Sequence, residues 1–124
     1  MPERKSSVIL IKSDGSDADI FKLAGRQLVA DGYTIKNSDS NFYSITTNDE
    51  LRPNYSFKTS LKISILTGTV VIRANSSNMG FSFLPFYGNG KGRSVETITF
   101  GFMDSYAKAL SAEIPNSKIV YAME

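Results

Sequence analysis

The sequence predicts an α+β domain: an antiparallel sheet of about six to seven strands with two helices packed on one face. Three observations predict it. Residues 55–66, YSFKTSLKISIL, alternate apolar and polar positions almost without error. The segment SDADIFKLAGRQLVADG repeats its apolar residues at helical spacing. A second helical stripe lies far downstream, so the order is strand, helix, five strands, helix, strand, which suits an antiparallel sheet with both helices on its apolar face.

The first strand spans Ser6 to Lys12, where Val8, Ile9, Leu10 and Ile11 form an apolar run ended by Ser13, Asp14 and Gly15. In the following helix Ile20, Leu23, Ala24 and Leu28 share one face, widened by Phe21. Ser16 or Asp17 caps its free amides, Asp17 and Asp19 face the positive helix end, and Gly32 is placed to terminate it. Tyr33 to Lys36 and Phe42 to Thr47 read as a hairpin around the turn-forming NSDSN. NDELRPN breaks the pattern at Pro53.

In the alternating segment Tyr55, Phe57, Thr59, Leu61, Ile63 and Ile65 face one way, and Ser56, Lys58, Ser60, Lys62 and Ser64 face water. Thr67 and Gly68 reverse the chain into Thr69 to Asn75, with Val70, Ile72 and Ala74 on the buried face. Met79 to Phe86 supplies another strand that Pro85 confines to an edge or bulge. A second helix spans Ser94 to Glu113, with Ile98, Phe102, Tyr106 and Ala109 as the buried stripe and Met103 and Leu110 broadening it. Pro115 and Asn116 end it, and Lys118 to Met123 is the last strand.

The 124 residues fit one domain over 1–124, with residues 1–6 expected to be disordered. Hydrophobic residues at 41% and charged residues at 21% provide one core. Cys and His are both absent, which removes disulfides, the usual zinc ligand sets, thiol nucleophiles and imidazole bases. Carboxylates offer no replacement dyad, because Asp49 and Glu50 are adjacent and Asp104 and Glu113 sit on different helical turns. A net charge of +2 is too weak a global field to imply nucleic acid. No apolar run approaches the roughly 18 to 20 residues of a bilayer span. MPERKSS lacks the apolar centre of a signal peptide. The expectation is a cytoplasmic chain, or a periplasmic or envelope one if a leader has been removed.

The order of elements, carried by IFKLAGRQLVADGY, the TIKNSDSNFYSITTN hairpin, the YSFKTSLKISIL and TVVIRAN strands and the late helix SVETITFGFMDSYAKAL, resembles the TBP-like α+β domains. Among these are small uncharacterised envelope domains of Bacteroidetes-type bacteria. The resemblance is architectural, covers most of the chain and implies no functional residues. The terminal strand after the second helix departs from the simplest form of that fold.

Four local features are candidate sites. Asp14, Asp17 and Asp19 could supply oxygen ligands to a hard cation, but their spacing is not that of an EF-hand loop, and helix capping explains them. Gly88, Gly90, Lys91, Gly92 and Arg93 could hold an anion just before the second helix, without the spacing of a Walker loop; a solvated connection is the plainer reading. Lys58, Lys62 and Arg73 share the polar sheet face, but the stacking aromatics that single-stranded nucleic acid needs lie on the other face. Tyr43, Tyr55, Phe81, Phe83, Phe86 and Tyr87 could line a pocket, though aromatics in strands more often build core. The resulting expectation is a non-enzymatic protein-interaction or assembly domain with a protein partner, no cofactor and no metal. The partner meets the sheet face, a strand edge or the glycine-rich loop. A small-ligand or anion-binding domain using residues 88–93 is the alternative.

Overall fold

The computed structural model describes residues 6–53, 55–78, 81–83, 85 and 94–123. Ten elements follow in chain order: β1 (Val8–Lys12), α1 (Asp17–Ala30), β2 (Ile35–Asp39), β3 (Ser44–Thr47), β4 (Glu50–Leu51), β5 (Lys58–Leu66), β6 (Thr69–Asn78), β7 (Phe81–Phe83), α2 (Val95–Glu113) and β8 (Lys118–Ala122). The strands form one sheet in the order β2-β3-β5-β6-β1-β8, with β4 also on β5 and β7 also on β6. Every pairing is antiparallel. The expected class and order hold, with β4 added to the strands the sequence predicts.

The centre of the sheet is the β5–β6 hairpin, paired without interruption from Lys58↔Ser77 to Leu66↔Thr69. Leu61, Ile63, Ile65, Val70, Ile72 and Ala74 are buried from it, joined by Ile9 and Ile11 of β1 and Ile45 of β3. Against this face lie Ile20, Ala24 and Leu28 of α1 and Phe100, Met103, Tyr106, Ala107 and Leu110 of α2. Both helices therefore cover one side, as a sheet with a single apolar face requires. On the far face Lys58, Lys62 and Leu66 are exposed, but Ser60, Ser64, Arg73 and Asn75 are half-buried and Val8 is buried.

The hairpin turn is fixed by its backbone. Thr67 and Gly68 have φ of 51° and 76°, both left-handed, which is the two-residue type I′ reversal that matches strand twist. Asp17, at the first position of α1, accepts both turn amides, from Thr67 at 3.1 Å and Gly68 at 2.7 Å. Ser13 N–H donates to the Gly68 carbonyl at 3.1 Å. A β-branched residue is strained at positive φ. Thr67→Asn is therefore expected to raise stability by about 0.5–1 kcal/mol, read as a later denaturant midpoint with an unchanged slope.

α1 follows its sequence signals: the Ser16 side chain accepts from Asp19 N–H, and Gly32 past the end has φ 88°. Four expectations are corrected. The β2–β3 hairpin turns at residues 40–43, so only the last two residues of NSDSN lie in the turn and its first three extend β2, because Asp39 Oδ1 accepts the amides of Asn41 (2.8 Å) and Phe42 (3.3 Å) and Tyr43 adopts φ 51°. β5 begins at Lys58, not Tyr55, although Phe57 is still buried. On α2 the buried side is Thr99, Phe100, Met103, Tyr106, Ala107 and Leu110, while Ile98, Phe102 and Ala109 are only half-buried. The buried face is thus rotated by about one residue, which brings Thr99 inward to its polar contact beneath the helix. Ser6, expected in the disordered start, is described and buried.

Candidate functional site

Thr59, Ser76 and Thr99 put three hydroxyls into the core, each almost wholly buried. Thr99 Oγ1 donates to the Val95 carbonyl at 2.6 Å. Its single proton being spent, Ser76 Oγ must donate to Thr99, and Thr59 Oγ1 in turn to Ser76 at 3.0 Å. The chain runs one way and ends on a backbone carbonyl, so it fixes α2 on β5 and β6 and offers no base. Thr99→Val removes the acceptor and leaves one buried hydroxyl proton without a partner. That should cost about 1–3 kcal/mol in urea unfolding, and Ser76→Ala in the same chain should restore part of it.

A second polar corner closes the far end of α1. Arg52, which sequence patterning did not single out, donates from Nη2 to the Asp31 carbonyl at 2.8 Å, and its guanidinium lies 3.9 Å from the Tyr33 ring centre. A cation at a helix carboxyl end and over an aromatic face is favoured twice. Tyr55 meets Phe102 edge to face at 5.2 Å and Phe57 at 5.6 Å, so Tyr55 belongs to this packing. Tyr43 likewise packs on Phe21 at 5.5 Å. Phe81 and Phe83 fall in β7, and Phe86 and Tyr87 lie outside the described residues.

Tyr106 is buried and donates to the Ala24 carbonyl at 2.9 Å, joining the two helices. Burial raises its pKa above the ordinary tyrosine value, with Asp31 and Tyr33 adding to the rise. Burial also raises that of Tyr33, against the opposing charge of Arg52. The folded state therefore keeps protons that an unfolded chain gives up above about pH 10. The contribution of these two tyrosines is constant below that pH and falls above it, by about 1.4 kcal/mol per pH unit for a fully retained proton. In denaturation between pH 9 and 11, Tyr106→Phe should show a shallower decline.

The acidic segment does not assemble a metal centre. Asp17 is occupied by the Thr67 and Gly68 amides, Asp14 and Asp19 are exposed, and among the described residues no group of three metal-ligating side chains exists. Gly88, Gly90, Lys91, Gly92 and Arg93 lie outside the described residues. Lys62 stands directly opposite Arg73 on the far sheet face, whereas Lys58 is opposite Ser77, near the end where Ser77 donates to Asp49 at 2.7 Å. Among the described residues no helix is long and apolar enough to cross a membrane.

The two outer strands differ in a way that bears on function. β2, with sequence IKNSD, carries Lys36 and Asp39 and a register shift between Ile35 and Asn37; charge and irregularity are how natural sheets blunt an edge. β8, with sequence KIVYA, pairs with β1 through five consecutive positions without a shift. It has no proline, and its one charge, Lys118, is at its start. It is held firmly, since Tyr121 donates to Asp104 Oδ1 at 2.6 Å while Asp104 also pairs with Lys108 at 2.9 Å. Among the described residues no strand pairs with its other side. Comparison with known protein families finds no match for this chain, and comparison with curated proteins finds none either.

Proposed function

We propose that this domain is a non-enzymatic protein-interaction or assembly module that accepts an extended segment of a partner protein along the outer side of β8. The observation that supports the reading is the contrast between the edges: β2 is blunted by charge and a bulge, and β8 is regular, apolar and anchored. Strand addition draws its affinity from main-chain hydrogen bonds and its selectivity from alternate side chains. Here those neighbours would be Ile119 and Tyr121 on the helix-covered side and Val120 and Ala122 on the other, as their register with β1 fixes. Kinship with TBP-like domains is part of the same proposal and is supported by the element order.

Selection of binding peptides from a random library, followed by amide chemical-shift mapping, tests it. Selected peptides should be extended and should perturb residues 118–122 first. Peptides that map to the helices, or a library that yields no binder, would contradict the reading.

A further inference from the structure

Sheet register places Lys12 directly opposite Lys118 and Lys62 directly opposite Arg73. Like charges at directly paired positions destabilise a sheet. All four belong to the far face, because their strand neighbours Ile11, Ile63 and Ile72 are in the core. Lys12, Lys62 and Lys118 are exposed, whereas Lys108 of α2 is paired with Asp104. Among the described residues, Asp39 turns inward to the Asn41 and Phe42 amides, Asp49, at the opposite end, accepts from Ser77, and Asp14 is exposed in the β1–α1 connection beside the Thr67–Gly68 turn. The helical layer has the reverse balance. Asp17, Asp19, Asp31, Glu96, Asp104 and Glu113 stand there against Lys22, Arg26, Arg52 and Lys108. The charge is therefore divided between the two layers, a division that orients the far face toward an anionic partner.

The same end of the sheet carries two protruding apolar residues. Leu66, at the end of β5, is 74% exposed, and Phe42, at the neighbouring hairpin tip, is 78% exposed. The tips are joined by Ile65 N–H donating to the Tyr43 carbonyl at 3.0 Å. Each is held rigid, one by Asp17 on the Thr67 and Gly68 amides and one by Asp39. Leu66, Thr69, Lys12 and Lys118 follow one another across four strands in a single register row, roughly 15 Å long at ordinary strand spacing.

We propose that this end of the far face docks on an anionic lipid bilayer, Lys12 and Lys118 against the headgroups and Leu66 and Phe42 entering the interface. A second copy is disfavoured because a two-fold contact would set lysine rows against each other. Single-stranded nucleic acid needs successive stacking rings, and Leu10, Val71 and Val120 between the cations are aliphatic, with the Phe42 ring set apart at the hairpin tip. A rigid protein would need a matching recess for each tip, whereas the bilayer interface yields around protruding side chains.

Co-sedimentation of the whole chain with vesicles tests the proposal, comparing phosphatidylcholine alone with phosphatidylcholine containing about one third phosphatidylserine. Binding should require the anionic lipid and be largely reversed in about 1 M salt. The double variant Lys12→Gln, Lys118→Gln should bind about thirtyfold more weakly. Leu66→Ser with Phe42→Ser should weaken binding about tenfold or more. Lys22→Gln with Arg26→Gln on the helical side should bind unchanged. All these positions except Phe42 and Leu66 are charged surface residues, and thermal melts establish that each variant is folded. No partition, equal partition onto neutral vesicles, or an unaffected lysine double variant would overturn the proposal. Tight binding of a single-stranded oligonucleotide without vesicle binding would assign the face to nucleic acid and overturn it as well. Vesicle binding reads side chains of the face and peptide mapping reads the β8 edge, so either can fail alone.

Discussion

Ile63→Asp is expected to leave the chain unfolded, while Lys62→Asp, one position earlier, should retain stability to within about 1 kcal/mol. Ile63 is fully buried in the core on the helix-covered face, and Lys62 is exposed on the other face. Truncating such an isoleucine to alanine costs about 2–5 kcal/mol through lost transfer energy and the residual cavity. An aspartate adds the burial of a carboxylate with no cation among its core neighbours, which costs several kcal/mol more or forces protonation. Against a total of about 5–15 kcal/mol for a domain, that sum removes most or all of the folded population. Far-UV circular dichroism in a urea titration reads both variants directly, and Ile63→Ala supplies the intermediate value.

Gly68→Val should be the most damaging change outside the core, at about 3 kcal/mol or more. Two costs combine there. The residue holds φ 76°, which a β-branched side chain adopts only with strain. A Cβ at this position would also stand 2.3 Å from the Ser13 carbonyl oxygen, an atom of the backbone that cannot swing aside. Relieving the clash means pulling the β5–β6 turn from Ser13 and loosening the Asp17 contact with both turn amides. The loss should therefore exceed that of Asp17→Ala, which removes two hydrogen bonds and keeps the turn. A Gly68→Val midpoint equal to that of Asp17→Ala would show that the close approach to Ser13 carries no weight.

What the chain reveals about its fold before folding depends on how local each cause is. α1 was legible from end to end because its stripe, Ser16 cap and Gly32 stop are all within one stretch of sequence. The β5–β6 hairpin was legible because a period of two over so many residues, closed by Thr-Gly, admits one register. β4 was not: two residues paired with Lys58 and Thr59 leave no periodic trace, and Pro53 beside them signals a break. The rotation of α2 was hidden for a different reason. Threonine ordinarily counts as an outward residue, and Thr99 goes inward because Ser76, on a distant strand, receives it. Arg52 and Asp17 likewise acquire their roles from partners far away in sequence.

The candidate surfaces divide along the same line. Lys62 opposite Arg73 could be anticipated from the hairpin, since both lie on one alternating pair of strands. Lys12 opposite Lys118 could not, because it needs the first and last strands to be neighbours. The difference between the β2 and β8 edges also depends on strand order, which patterning leaves open when seven or eight strands can be arranged in many ways.

The central claim is that the sheet is two-sided, with one face sealed by both helices and the other presenting cations and an open edge. Methyl NMR of the Ile, Leu and Val residues in the presence of a soluble gadolinium chelate measures this residue by residue. The methyls of Leu61, Ile63, Ile65, Val70 and Ile72 should keep their intensity, and those of Leu66, Leu10, Val71 and Val120 should broaden, Leu66 most. Broadening of the first set to the level of the second would contradict the account.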